Sequence, residues 1–213
     1  MLPPGSPKFK RRKAARPDEI VAAAFQVFAE KGFAAARLDD IAARAGVSKG
    51  ALYLYFGTKE EIFEAVVERG VAPNLQGVHA AILAHGEDFP ALLRAVAQAL
   101  AQIAVETPLG ALVKMVVGEA RNFPDLARVW HDRLIVPALG ALAGAIGEAQ
   151  ARGELQPGDA RQYAVSLIAP LLVGVIWRET FTPVGAPPFD IPALMRQHVE
   201  LWLRGVVLPG EPA

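Results

Sequence analysis

Residues 38–59 read LDDIAARAGVSKGALYLYFGTK, and the rest of the chain is best read outward from them. Ile41, Ala42 and Ala45 recur at helical spacing. Gly46 closes that pattern, because a residue without a side chain takes the left-handed conformation that ends a helix at little cost. Ser48 follows within two residues, and its hydroxyl can accept a free N–H of a new helix. That second helix carries Leu52 and Phe56 on one side. The pattern predicts helix, tight turn and helix over about 37–56. Two helices joined so closely cross steeply, the geometry with which a helix-turn-helix reads DNA.

A helical wheel leaves Lys49, Gly50, Ala51, Tyr53, Leu54 and Tyr55 away from the Leu52 and Phe56 side. Lysine neutralises phosphates, and tyrosine hydroxyls bond backbone oxygens. Gly50 costs about 1 kcal/mol relative to Ala in a helix interior, which close approach to a DNA strand would account for. Thr58 is expected to cap a third helix starting at Lys59, whose ammonium and free N–H groups favour an anion. Inward residues Ile62, Phe63, Val66 and Val67 continue it toward Pro73, an expected hinge. Upstream, Pro17 suits a first helical turn, Ile20, Ala24, Phe25 and Phe28 form a core stripe, and Gly32 stops it.

The run from Pro17 to about Arg69 resembles the DNA-binding domain of the TetR family of bacterial transcriptional regulators, and VSKGALYLYF followed by GTKEEIF carries the likeness. It covers about a quarter of the chain; the remainder is similar in layout only. The resemblance implies an all-α fold of about nine helices: an N-terminal three-helix helix-turn-helix domain, then a helical domain for ligand binding and dimerisation. It further implies a cytoplasmic homodimer, paired through its last two helices, that occupies a palindromic double-stranded DNA operator and leaves when a small molecule binds. Position by position, Arg37, Ser48, Lys49, Gly50, Ala51, Tyr53, Tyr55 and Lys59 stand where the family contacts DNA. Arg37 replaces the Ser or Thr common at its position. No cofactor is implied.

Charge is distributed in keeping with this. The 213 residues are formally neutral, but residues 1–66 hold 11 basic against 8 acidic side chains, and the rest 11 against 14. Six of the basic ones fall within the first sixteen positions. Positive potential thus gathers at the end bearing the helix-turn-helix. Residues 1–13 are expected to form a flexible basic arm, 14–74 the DNA-binding domain and 75–213 the second domain. The apolar run Ile20 to Ala29 follows a basic start, but Asp18, Glu19 and Gln26 make it an amphipathic helix rather than a leader.

Beyond Val78 helices are punctuated by HGEDFP, ETP, NFP, RGELQPGD and TPVGAPPFD, with Asp159 and Asp190 as expected caps and Pro90, Pro108 and Pro124 at helix starts. Pro137 is expected to kink the helix from Pro124 to about Ala151, with Leu126, Trp130, Leu134 and Ile135 inward. Apolar residues make up 53% of the chain, and the helices at about 160–180 and 191–206 are too apolar for a two-layer packing to cover. The longest apolar stretches, Tyr163 to Trp177 and Leu134 to Gly147, fall short of the roughly 20 residues of a membrane span. Met115, Trp130, Leu134, Ser166, Leu172 and Trp177, with polar Lys114, Glu119, Arg121, His131 and Gln162 nearby in sequence, are candidate walls of an apolar cavity for a lipophilic or aromatic effector.

Other function classes find little support. The chain lacks GxSxG, GxGxxG, P-loop and HExxH patterns; with no cysteine, thiolate chemistry and Cys-ligated zinc are excluded. His79, His85, His131 and His198 have no ligand spacing, so neither catalytic nor metal residues are assigned. The alternatives are an enzyme or helical binding protein without regulatory DNA binding, and a non-specific architectural DNA binder. The last would need a broad basic surface that the second part does not provide.

Overall fold

The computed structural model describes residues 8–71, 78, 80 and 88–208. Among these the fold is all-α, nine helices with one isolated bridge between Leu155 and Val207. Helix α1 (Lys8–Ala35) breaks at Gly32, where φ is 75° and ψ is 170°. Helix α2 is Leu38–Arg44 and α3 is Lys49–Tyr53. Helix α4 (Lys59–Ala65) runs on as a π-helical turn, Val66–Val71. Then come α5 (Phe89–Glu106), α6 (Leu109–Glu119), α7 (Pro124–Ala151), α8 (Ala160–Thr180) and α9 (Ile191–Val206).

The local signals act as their chemistry requires. Gly46 has φ 65° and lets the chain turn from α2 into α3. Ser48 Oγ accepts the Ala51 N–H at 3.1 Å and Thr58 Oγ1 accepts that of Glu61 at 3.1 Å. Asp88, Asp159 and Asp190 cap α5, α8 and α9 in the same way.

Four expectations change. Backbone helix extends back to Lys8, so residues 8–13, expected in a flexible arm, are helical, and Pro17 lies inside α1 rather than in its first turn. Lys, Arg and Ala are strong helix formers, and the run from Lys8 to Arg16 is built almost wholly from them. The kink expected at Pro137 is a π-helical turn, His131–Ile135, just ahead of it; widening the helix accommodates the carbonyls that proline cannot pair. Ile135, expected inward, is 36% exposed but lines a cavity between the helices together with Trp130 and Leu134. Finally, α7 and the helical run Ala160–Val184 are 28 and 25 residues long and apolar enough to cross a membrane. The apolar stretches looked short because helix continues through their prolines and polar flanks. Pro73, His79 and His85, and the boundary set at 74, lie outside the described residues.

Two buried clusters organise the packing. The first joins Ile20, Phe28, Phe33, Ile41, Leu52, Phe56, Ile62 and Phe63 to Leu112, Met115 and Val116 of α6 and Leu126, Trp130 and Leu134 of α7. The second joins α5, the end of α7, α8 and α9 around Leu93, Ile146, Leu167, Met195 and Trp202. The helix-turn-helix therefore has no core of its own. It shares one with the helices beyond it, and anything that shifts α6 or α7 is felt beneath α2 and α3.

Candidate nucleic-acid interface and effector cavity

Helix α3 is anchored by Leu52, fully buried, and by Phe56 just beyond it. With these fixed inward, the other side faces solvent: Lys49 and Gly50 are exposed, Tyr53 is 48% exposed and Leu54 80%. Leu54, apolar and bare, thus stands beside the lysine and the tyrosine on the same side of the helix. Gly50 is open too. An added Cβ would meet nothing within 4 Å, so packing inside the chain does not require the glycine. Arg37, at the N-cap of α2, is exposed, and its guanidinium enters no hydrogen bond or salt bridge among the described residues.

Other charges near this face are paired. Lys49 Nζ lies 2.9 and 3.1 Å from the two oxygens of Asp39, and that hydrogen bond, with the carboxylate's charge, holds the ammonium above the usual lysine range. Lys31 bonds Asp40 at 3.0 Å and keeps its carboxyl below the usual range. Arg44 bonds Glu30 through both nitrogens at 2.6 and 2.7 Å. All are exposed pairs of modest strength that a phosphate can outcompete.

Two expected contacts are placed differently. Tyr55 is half-buried against the first core. Its N–H bonds the Leu52 carbonyl at 3.0 Å, a 3₁₀ step that stacks residue 55 over buried residue 52 rather than continuing the exposed face. Lys59 does not reach outward. Its Nζ donates to the carbonyls of Phe33 (2.6 Å) and Ala36 (3.1 Å) and stands 4.3 Å from the centre of the Phe33 ring. The corner between α1 and α2 leaves those carbonyls without helical partners, and the ammonium supplies them.

The second site is a cavity of about 330 Å³ walled by α5, α6, α7, α8 and Val71. Of the residues proposed from sequence, only Trp130, Leu134 and Leu172 line it. Met115 is buried in the first core. Glu119 accepts the N–H groups of Phe33 and Ala34 at 3.0 and 2.7 Å. His131 is exposed and pairs with Asp132. Ser166 binds Tyr163 and Trp202, and Trp177 stacks between Phe181 and Phe189. Walls that the sequence did not single out include Leu100, Ile103, Leu109, Val113 and Leu139. None carries a polar side chain, so spacing alone could not tell them from ordinary core. A larger groove of about 740 Å³ between α5 and α9 is rimmed by Arg94, Arg196 and Glu200, away from the helix-turn-helix. Among the described residues, no three His, Asp or Glu side chains are grouped to hold a metal.

Comparison with known proteins decides what this arrangement is. Residues 20–66 match the bacterial regulatory proteins of the tetR family, and residues 91–204, over half of the chain, match the C-terminal domain of AefR-like transcriptional repressors. The chain belongs to the TetR family. The HTH-type transcriptional regulator YfiR of Bacillus subtilis is 36% identical over 111 residues, 47% of this chain and 54% of that one; the chain thus spans about half the length of this relative. The HTH-type transcriptional repressor BepR of Brucella suis is 28% identical over 78% of this chain and 79% of its own. A TetR-family regulator from Mesorhizobium loti superposes with a TM-score of 0.77 at 24% identity, covering 92% of this chain and 99% of that one. The FadR regulator of Bacillus subtilis, solved with stearoyl-CoA, gives 0.70 at 22% identity over 88% and 98%. In this TetR-family chain, α2 and α3 form the helix-turn-helix and α5 to α9 the second domain.

Three substitutions test the exposed face. Lys49→Ala should weaken binding to duplexes of any sequence and flatten the dependence of log K on log salt by about 0.9, whereas Asp39→Asn should strengthen binding about two- to fivefold by releasing Lys49; fluorescence anisotropy over a salt series reads both. Gly50→Ala should stabilise the fold slightly, by about 0.5–1 kcal/mol in urea unfolding, while weakening DNA binding at least tenfold.

Proposed function

We propose that the protein is a cytoplasmic transcriptional repressor that occupies a palindromic DNA operator as a homodimer and is released by a small, lipophilic, uncharged effector. The observation that carries the reading is the division of α3, with Leu52 buried and Lys49, Gly50, Tyr53 and Leu54 bare on the other side. Arg37, Lys49 and Tyr53 would hold the phosphates. Ser48, Gly50, Ala51 and Leu54 would lie against base edges, where an apolar surface favours thymine methyl groups and groove shape over hydrogen-bonded readout.

Pairing of two copies is supported by α8 and α9. Val173 of α8 and Leu201 of α9, neither of them a cavity wall, each stand 59% exposed, and only 22% of the most apolar stretch of α8 is buried within one chain. A four-helix seam about a two-fold axis would cover these faces, and the same seam gives an outlet other than lipid for helices of such length and composition. Two such chains present two α3 faces, which bind together when their spacing matches one turn of duplex, roughly 34–36 Å. The cavity supports the effector. Its walls carry no charge, so a charged ligand group would lose its hydration without a partner. Trp130, Leu134 and Val71 belong both to those walls and to the first core. A ligand preferring one arrangement of that core shifts the spacing of the two α3 faces.

Selection from random duplexes with the full-length protein, followed by light scattering of the complex, tests this directly. The expected result is an enriched inverted repeat bound by two chains. No enrichment, or enrichment of a single half-site by one chain, would overturn the proposal.

A further inference from the structure

Gly32 breaks α1 at φ 75°, and the chain resumes helical geometry at Phe33 and Ala34 before turning into α2. The N–H groups of that restart have no partner within their own helix. A Ser, Thr or Asp at position 32 would supply a cap, and glycine has none to give. The oxygens arrive instead from 86 residues away. Glu119, the last residue of α6, puts Oε1 3.0 Å from the Phe33 nitrogen and Oε2 2.7 Å from the Ala34 nitrogen. The fit is close: a Cβ on residue 32 would stand 2.5 Å from Glu119 Oε1. Lys59 holds the carbonyls of the same corner from the other side, and the Phe33 ring is enclosed by Phe28, Phe63 and Phe123. The corner that sets where α2 begins is thus fastened by one carboxylate from the second domain and one ammonium from α4.

The other part of α6 belongs to the cavity. Leu109, Gly110 and Val113 line it, and Val113 lies about 9 Å along the axis from Glu119. Near Gly110 the helix is pressed against α8, since a Cβ there would come within 3 Å of Arg178 and Glu179, and Lys114 bonds the Glu179 carbonyl. With that end fixed against α8, a displacement of the wall at Val113 is carried along α6 toward its other end, where Met115 and Val116 pack in the first core and Glu119 meets the corner. We infer that Glu119 is the positioning residue that couples the cavity to the helix-turn-helix, capping the Phe33–Ala34 turn when the cavity is empty and withdrawing when it is filled. This rests on the regulatory reading above and names the route by which it operates. Glu119 is not among the walls of the cavity, and its oxygens are taken up by the corner itself.

The test uses the full chain and side chains in place of an unidentified ligand. Ala138→Phe and Val113→Phe each push a ring into the cavity from a different helix. In an otherwise unaltered chain, each should lower affinity for the selected duplex about tenfold, within the usual range of coupling between sites, and speed amide exchange at Phe33 and Ala34. Glu119→Ala alone should do both, Glu119→Gln less, since its amide oxygen still accepts one bond. In the Glu119→Ala background neither wedge should add to either effect. Wedges that act as strongly without Glu119, or that leave exchange at 33 and 34 unchanged in the unaltered background, would overturn the inference. Failure of the unaltered protein to select any duplex would count against the regulatory reading instead, and the exchange measurement would still report whether cavity and corner are coupled.

Discussion

The rings of Phe28, Phe33, Phe63 and Phe123 meet where α1, α4 and the end of α6 come together, with centroid separations of 5.2–6.0 Å among the contacting pairs. Three of these rings belong to the DNA-binding unit and one to the connection between α6 and α7. Their burial fixes the height at which α2 leaves its corner, and α2, through Gly46 and Ser48, fixes the direction of α3. A three-helix unit of about 50 residues buries too little surface to be rigid by itself. Sharing its core with Leu112, Met115, Trp130 and Leu134 makes it rigid and also makes it answerable to the helices that supply them.

Polar contacts across the same junction follow the packing. Arg133, on the π-helical turn of α7, reaches Glu64 at 2.7 Å and Glu68 at 3.3 Å on α4 and its extension, and Glu119 reaches the α1–α2 corner. These bonds are exposed or half-buried and individually weak. Their value is directional: each links a residue close to the cavity with an element that positions α3. A regulator needs such links to be breakable, because an effector can shift an equilibrium only by the difference in its affinity for the two states.

How much of this was legible in the sequence depended on whether the signal was local. Gly46, Ser48 and Thr58 act on backbone groups within three residues of themselves, and their roles could be read directly. Leu52 and Phe56 set the inward side of α3 by periodicity alone. The half-buried placement of Tyr55 was not legible, because the helix tightens to a 3₁₀ step at its end, which no wheel drawn at 100° per residue anticipates. The intramolecular partners of Lys59 and Glu119 were not legible for a different reason. Their partners lie 23–26 and 85–86 residues away, and a charged residue next to a helix terminus looks the same whether it awaits a ligand or caps a distant turn. The cavity was legible only at Trp130, Leu134 and Leu172, since its remaining walls are apolar residues whose spacing equals that of any buried helix.

Everything proposed for this protein requires the bare side of α3 to lie against DNA. The most direct test is lysine acetylation of the full-length protein with and without its selected duplex, read residue by residue by mass spectrometry. Lys49 should be strongly protected by the duplex while Lys114, on α6, is modified equally in both samples. Equal modification of Lys49 with and without duplex, under conditions where the complex is saturated, would contradict the account.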